Sequence, residues 1–184
     1  MSSVLQSTAP AFTDSARDRI AAYLHEKTGQ SEGLVALTPD ASTREYFRIP
    51  WQKATAVAAV YPERIDAEVH PYLDVTRLFL ECGLPVPQVL DVDGDAGIIV
   101  QEDLGSRQLC QVFEEVSEDE RDVLLERAIE LIARIQAATQ QAFARDSIAS
   151  RLAFDEPKLS WEFNFFFEHY FGSYRKESLP ETPA

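Results

Sequence analysis

Eight consecutive residues, Ala54–Tyr61 (ATAVAAVY), carry no charge and are flanked by Pro50 and Pro62. A run of that length between prolines reads as a strand buried on both faces, although its alanines keep a helix open. A chain with such a strand must supply cover for two sides of a sheet. The neighbouring segments are the available material. Leu34–Leu37 and Tyr46–Ile49 read as strands before it, and Pro50-Trp51-Gln52-Lys53 reads as the turn that joins the second of these to the run. Val86–Val92 and Gly97–Gln101 read as two more, joined by Asp93-Gly94-Asp95-Ala96-Gly97, a hairpin signal.

Helices fill the rest. Asp14–Lys27 is expected to be helical, capped by Thr13 or Asp14 and stopped at Gly29, with Ile20, Tyr23 and Leu24 on one face. A second helix is expected over Asp66–Cys82, with Val69, Leu73, Thr76 and Leu80 as its stripe. Pro71 moves its start toward His70, and Gly83 with Pro85 ends it. Ser117 and Glu120 form a capping box that opens a long helix to Phe143, with Leu124, Ala128, Leu131, Ile135 and Ala138 as its stripe. A last helix, Lys158–Tyr174, carries aromatic residues on nearly every face. The expected class is therefore α+β: an antiparallel five-stranded sheet with one helix inserted between strands three and four, then helices only. Strands and helices do not alternate regularly, which disfavours a doubly wound sheet.

Charge and cysteine usage exclude other classes. With 31 acidic and 17 basic side chains the net charge is −14, so the chain is not expected to bind nucleic acid, which needs a basic face. No stretch approaches the roughly 18 apolar residues of a membrane span. Met1–Phe12 shows no secretory signal and is expected to fray, and a cytoplasmic protein is expected. Cys82 and Cys110 are expected to be buried free thiols, and three scattered histidines argue against zinc.

Three segments look familiar together. Asp40-Ala41-Ser42-Thr43-Arg44-Glu45-Tyr46-Phe47-Arg48 is similar to a D-A-S-x-R-x-Y-x-R hairpin. Pro71–Val75 followed by Gly83–Leu90 resembles a helix and a G-x-x-x-P-x-V-L strand. Gly97–Gly105 resembles a G-x-L-L-x-E-D-L-G linker. In this order they resemble the aminoglycoside phosphotransferase family, of protein-kinase-like fold, and within it the bacterial kinases of N-acetylmuramate and N-acetylglucosamine. The resemblance implies a nucleotide-binding lobe over 13–104, after a frayed 1–12, and a linker with the first helices of an incomplete C-terminal lobe over 105–184.

It also implies ATP and Mg²⁺ as cofactors, and an amino sugar or aminoglycoside-like small molecule as substrate. Phosphoryl transfer depends on positioning and charge stabilisation. The resemblance puts phosphate contact at Ser42, Thr43 and Arg44, though a plain β-turn explains that loop equally well. It puts the adenine edge against the main chain of Gln101, Glu102, Asp103 and Leu104. Glu68 is the candidate helix acid. Asp74 is the other, but a solvated face suits it better. The third-strand lysine of kinase-like folds is missing, and Arg44 and Arg48 are both candidates to replace its charge. No H-x-D followed by Asn is present, so no catalytic residue and no metal ligand is named, and the chain is expected to be inactive alone. The aromatic helix, 158–174, is expected to expose apolar surface and to favour self-association. The competing reading is a non-catalytic interaction module built on the same lobe.

Overall fold

A computed structural model describes residues 12–38 and 42–177. The expected fraying of the first residues falls outside that set except at Phe12. Pro39, Asp40 and Ala41 of the first hairpin also lie outside it.

The first helix, α1, runs Ala16–Thr28. Its cap is Ser15, which follows the expected Thr13 or Asp14, and the Ser15 hydroxyl accepts from the Asp18 N–H. Gly29 ends it as expected, in a left-handed conformation with φ 74°. Five strands follow the expected order: β1 Val35–Ala36, β2 Glu45–Trp51, β3 Ala54–Val60, then, after helix α2 (Pro71–Glu81), β4 Val89–Asp93 and β5 Ile98–Glu102. All pairings are antiparallel and the sheet order is β1-β2-β3-β5-β4. The uncharged run is indeed a central strand.

Period-two alternation divides the sheet into two faces. Phe47, Ile49, Ala56, Ala58, Val60, Ile98 and Val100 pack on Ala16, Ile20, Tyr23 and Leu24 of α1. Ala59, Tyr61 and Ile99 point the other way, toward Leu73 and Tyr72 of α2. The turn joining β2 and β3 is tighter than expected. Pro50 and Trp51 remain in β2, opposite Thr55 and Ala54, and only Gln52 and Lys53 turn. Proline is tolerated there because β1 has already ended beside it.

The β4–β5 turn is packed tightly enough to demand glycine. A Cβ on Gly94 would lie 2.5 Å from the Ile65 carbonyl oxygen. Gly97 has φ 68°, and a Cβ there would lie 2.5 Å from the Glu63 carbonyl oxygen and 3.0 Å from the Phe12 ring. Arg19 of α1 reaches the same region, donating to the carbonyls of Ala96 (2.5 Å) and Tyr61 (2.7 Å).

Helix α2 starts at Pro71 with His70 as its cap residue, because proline is accommodated in the first turn. The expected stripe is corrected accordingly. Val69 precedes the helix and is exposed, Leu80 is largely exposed, and Leu78 is buried instead. Leu78 shares a side with Asp74 and Glu81 at spacings of four and three. Those two acids reach Arg145, Ser147 and Ile148 in the helical half. The helix is therefore covered on two sides.

The helical half comprises α3 Leu109–Glu115, α4 Glu118–Ala137, α5 Thr139–Ala144, a 3₁₀ turn Ile148–Ser150, and α6 Glu156–Phe166 continuing as a π-helical segment Phe167–Arg175. The Ser117–Glu120 capping box is formed. The expected single helix to Phe143 is divided at Ala138, and α3 was not expected. Both cysteines are free, but neither is buried as expected: Cys82 is half-buried at the end of α2, and Cys110 is exposed because α3 lies at the surface. Trp161, Phe163, Phe165, Phe166 and Tyr174 are exposed, the apolar surface expected of this helix. Among the described residues no helix is long and apolar enough to cross a membrane.

Candidate functional site

The face of the sheet that carries α2 is only partly covered by it. Val35, Arg48, Val57, Gln101 and Val89 stand in one row across all five strands. Directly paired residues share a face, so this row lies on the α2 side. Tyr72 of α2 donates its hydroxyl proton to the Gln101 side-chain oxygen. That anchors the helix over β5, while Val35 at the far end is 55% exposed.

The two expected nucleotide stations lie at opposite ends of this face. Arg44 precedes β2 and stands beside the end of β3, since Glu45 pairs with Val60. Gln101 shares the row of Arg48, four residues further along β2. At about 3.3 Å per residue that separation is roughly 13 Å along the strands. Both stations thus share one face without touching.

At the first station Ser42 and Arg44 hold each other. The Ser42 hydroxyl accepts from the Arg44 backbone N–H and from Arg44 Nε, each at 3.3 Å. The guanidinium lies 5.6 Å from the Tyr46 ring centre and 5.5 Å from that of Tyr61, and donates to the Tyr61 hydroxyl. Thr43 is exposed beside them. His70 stands edge-on to Tyr61 at 4.9 Å. Burial, and then the nearby Arg44 charge, push the His70 pKa below its ordinary value.

At the second station Asp103 accepts from Arg48 Nε (2.6 Å) and Nη2 (3.1 Å), from Thr55 Oγ1 (2.7 Å) and from the Gly105 N–H (2.9 Å). The Arg48 and Thr55 bonds, chiefly, hold the Asp103 carboxyl well below the usual range. Arg48 is thereby committed to Asp103. Lys53 sits in the exposed β2–β3 turn. The Glu102 N–H is bonded to the Gln88 carbonyl oxygen (2.8 Å), whereas Leu104 is 68% exposed and its backbone makes no hydrogen bond among the described residues.

The helix acids come out differently from expectation. Glu68 is exposed in the turn before α2, three residues short of the helix, because Pro71 delays its start. Asp74 is no solvated acid. It accepts from the Ser147 hydroxyl (2.6 Å) and the Ile148 N–H (2.8 Å), binding α2 to the helical half. Sequence reasoning missed Thr55 and Tyr72 as supports of the linker. Tyr72 and Arg48 both stood inside the motif segments, but no pairing rule links residues 29 and 55 positions apart.

Among the described residues no group of three or more His, Cys, Asp or Glu could hold a metal ion. Among the described residues Mg²⁺ therefore finds no such cluster. The open face carries the Arg44 guanidinium toward one end and, at the other, the Leu104 main chain without a hydrogen bond among the described residues.

A five-stranded antiparallel sheet with one inserted helix and a following helical half is the architecture of a kinase-like N-lobe. Residues 33–180 match the phosphotransferase enzyme family, APH, and the chain belongs to it. It is 33% identical over 109 residues to an N-acetylmuramate/N-acetylglucosamine kinase of Neisseria meningitidis serogroup B, covering 59% of this chain and 32% of that protein. It is 30% identical over 141 residues to a kinase of the same name from Pseudomonas aeruginosa, covering 74% of this chain and 37% of that one. The chain thus matches about a third of the length of each of these relatives. No solved structure matches it.

Proposed function

We propose that the α2 side of the sheet is the nucleotide-binding floor of a phosphotransferase. It would pass the γ-phosphoryl group of ATP to a hydroxyl of an amino sugar or aminoglycoside-like small molecule. The observation that carries this is the placement of two complementary stations on one open face. An extended nucleoside triphosphate has a base with hydrogen-bonding edges at one end and anionic oxygens at the other. Leu104 and its neighbours offer backbone groups to the first, and Arg44, with Ser42 and Thr43 beside it, offers charge and hydroxyls to the second. The substrate class rests on the names of the two relatives. Residues 13–104 would form this lobe, and the helices from 105 onward the start of the substrate side. A cytoplasmic setting, where ATP is plentiful, goes with this reading.

The protein residues here bind and orient. When bound, ATP supplies the transferable phosphoryl group, and no residue is assigned as base. Calorimetric titration with ATP, tripolyphosphate and adenosine tests the reading. Arg44→Ala is expected to weaken ATP and tripolyphosphate binding by about tenfold, the loss of one charged contact, and to leave adenosine affinity unchanged. Unaltered tripolyphosphate binding would remove Arg44 from the site. A chain that binds neither ATP nor adenosine would remove the nucleotide reading and favour an interaction module, for which the exposed rings of α6 are the specific support.

A further inference from the structure

The linker after β5 is held by a side-chain arrangement that the resemblance does not explain. Asp103 is the first residue beyond the strand, and its side chain is only 7% exposed. Its two oxygens take four hydrogen bonds from three places: Arg48 on β2, Thr55 on β3 and the Gly105 N–H two residues onward. A carboxylate with four donors has little left to offer a ligand. The i to i+2 bond from Gly105 closes an Asx turn, and Gly105 takes the left-handed conformation (φ 89°) that follows it. Leu104 stands at the apex of that turn. Its flanks are fixed on both sides, since Glu102 is tied to Gln88 and Asp103 to the sheet.

We propose that Arg48 and Asp103, with Thr55, are positioning residues that set the Leu104 backbone as the recognition edge for the base of a purine nucleotide. This rests on the nucleotide reading above. Neither side chain touches the ligand. They convert an exposed loop, which would have to be ordered on binding, into a pre-set donor and acceptor pair, and so lower the ordering cost of binding. The arrangement also accounts for two residues of the motif segments at once. The second arginine of the hairpin and the aspartate of the linker are partners, so neither is available for phosphate.

The test separates the base from the phosphates. Adenosine and tripolyphosphate are titrated into the chain and into Asp103→Asn, which keeps the shape but turns one acceptor of the Arg48 fork into a donor. The expected result is a loss of adenosine affinity of about tenfold or more, with tripolyphosphate affinity little changed. In ¹H–¹⁵N spectra the Leu104 amide resonance shifts on adding adenosine to the wild type and fails to do so in the variant. Thr55→Val removes one of the four donors and is expected to act in the same direction with smaller size. It decides the matter if Asp103→Asn does not fold. Equal weakening of both ligands would reduce the pair to a support of the fold and overturn the inference while leaving the nucleotide reading intact. Unchanged adenosine affinity in both variants would also overturn it. A wild-type chain that binds tripolyphosphate but not adenosine would do the same, whereas one that binds neither removes the underlying reading as well.

Discussion

Replacing Asp74 by asparagine should loosen the joint between α2 and the helical half by an amount that can be worked out. The carboxylate accepts from the Ser147 hydroxyl and the Ile148 N–H, and faces Arg145 at 3.6 Å. Both bonds end on Oδ2, which an asparagine carbonyl oxygen can replace, so the variant keeps the two bonds and loses the charge that strengthens them. A hydrogen bond to a charged group is worth about 1.5–3 kcal/mol against about 0.5–1.5 kcal/mol for a neutral one, a loss of about 1 kcal/mol for each of the two. The partly exposed ion pair adds between about 0 and 1 kcal/mol. A total near 2 kcal/mol lowers the melting temperature of a chain this size by roughly 4–8 °C.

The pH dependence has a definite sign. Burial alone would raise the Asp74 pKa, but the bonds from Ser147 and Ile148, and the charges of Arg145 and Arg77, outweigh it and hold the pKa below its ordinary value. A depressed carboxylate pKa contributes stability above the unfolded value, near 4, and that stability is lost as pH falls through the folded value. The gap between wild type and Asp74→Asn should therefore be full at pH 7 and close progressively below about pH 4. Circular dichroism melts at a series of pH values measure it. Amide exchange at Ile148 should also quicken in the variant. Equal melting temperatures at neutral pH, or a gap that persists unchanged into acid, would refute the assignment of Asp74 as the joint.

Gly97→Ala forces a Cβ to within 2.5 Å of the Glu63 carbonyl oxygen at a positive φ, so a loss of at least about 2 kcal/mol is expected in a urea titration. An unchanged midpoint would show that the β4–β5 turn yields easily. The exposed Trp161 and Phe166 rings should bind a hydrophobic dye and give concentration-dependent sedimentation. Trp161→Glu with Phe166→Glu should reduce both without lowering the melting temperature, and a wild type that is monodisperse and dye-silent contradicts this.

The elements that could be read from sequence were those defined locally. The Asp93–Gly97 turn, the Ser117 capping box and the Gly29 stop each depend on residues within five positions of one another. Helix α3 was missed because its cap is Gln108 with Gln111, outside the usual Ser, Thr, Asp and Asn signals. The stripe on α2 was misjudged because a one-sided pattern was assumed for a helix covered on two sides. Leu78 and Asp74 belong to the second side, and the partners of Asp74 lie some 70 residues downstream. The site shows the same division. Gln101–Leu104 and Ser42–Arg44 were named from motif likeness, but the Arg48–Asp103–Thr55 arrangement depends on strand register, which only the folded sheet displays.

Arg19 carries a consequence for the order of assembly. Its partners are the carbonyls of Tyr61 and Ala96, 42 and 77 residues further along the chain. During synthesis α1 emerges first, yet the central position beside β3 is filled by β5, which emerges last of the five strands. The apolar side of α1 can therefore be met early by β2 and β3, but its cover is complete only when Ile98 and Val100 of β5 arrive. A nascent chain of this design finishes its core late. Its period of greatest exposure to aggregation and chaperone capture falls before Ile98–Val100 can slide between β3 and β4.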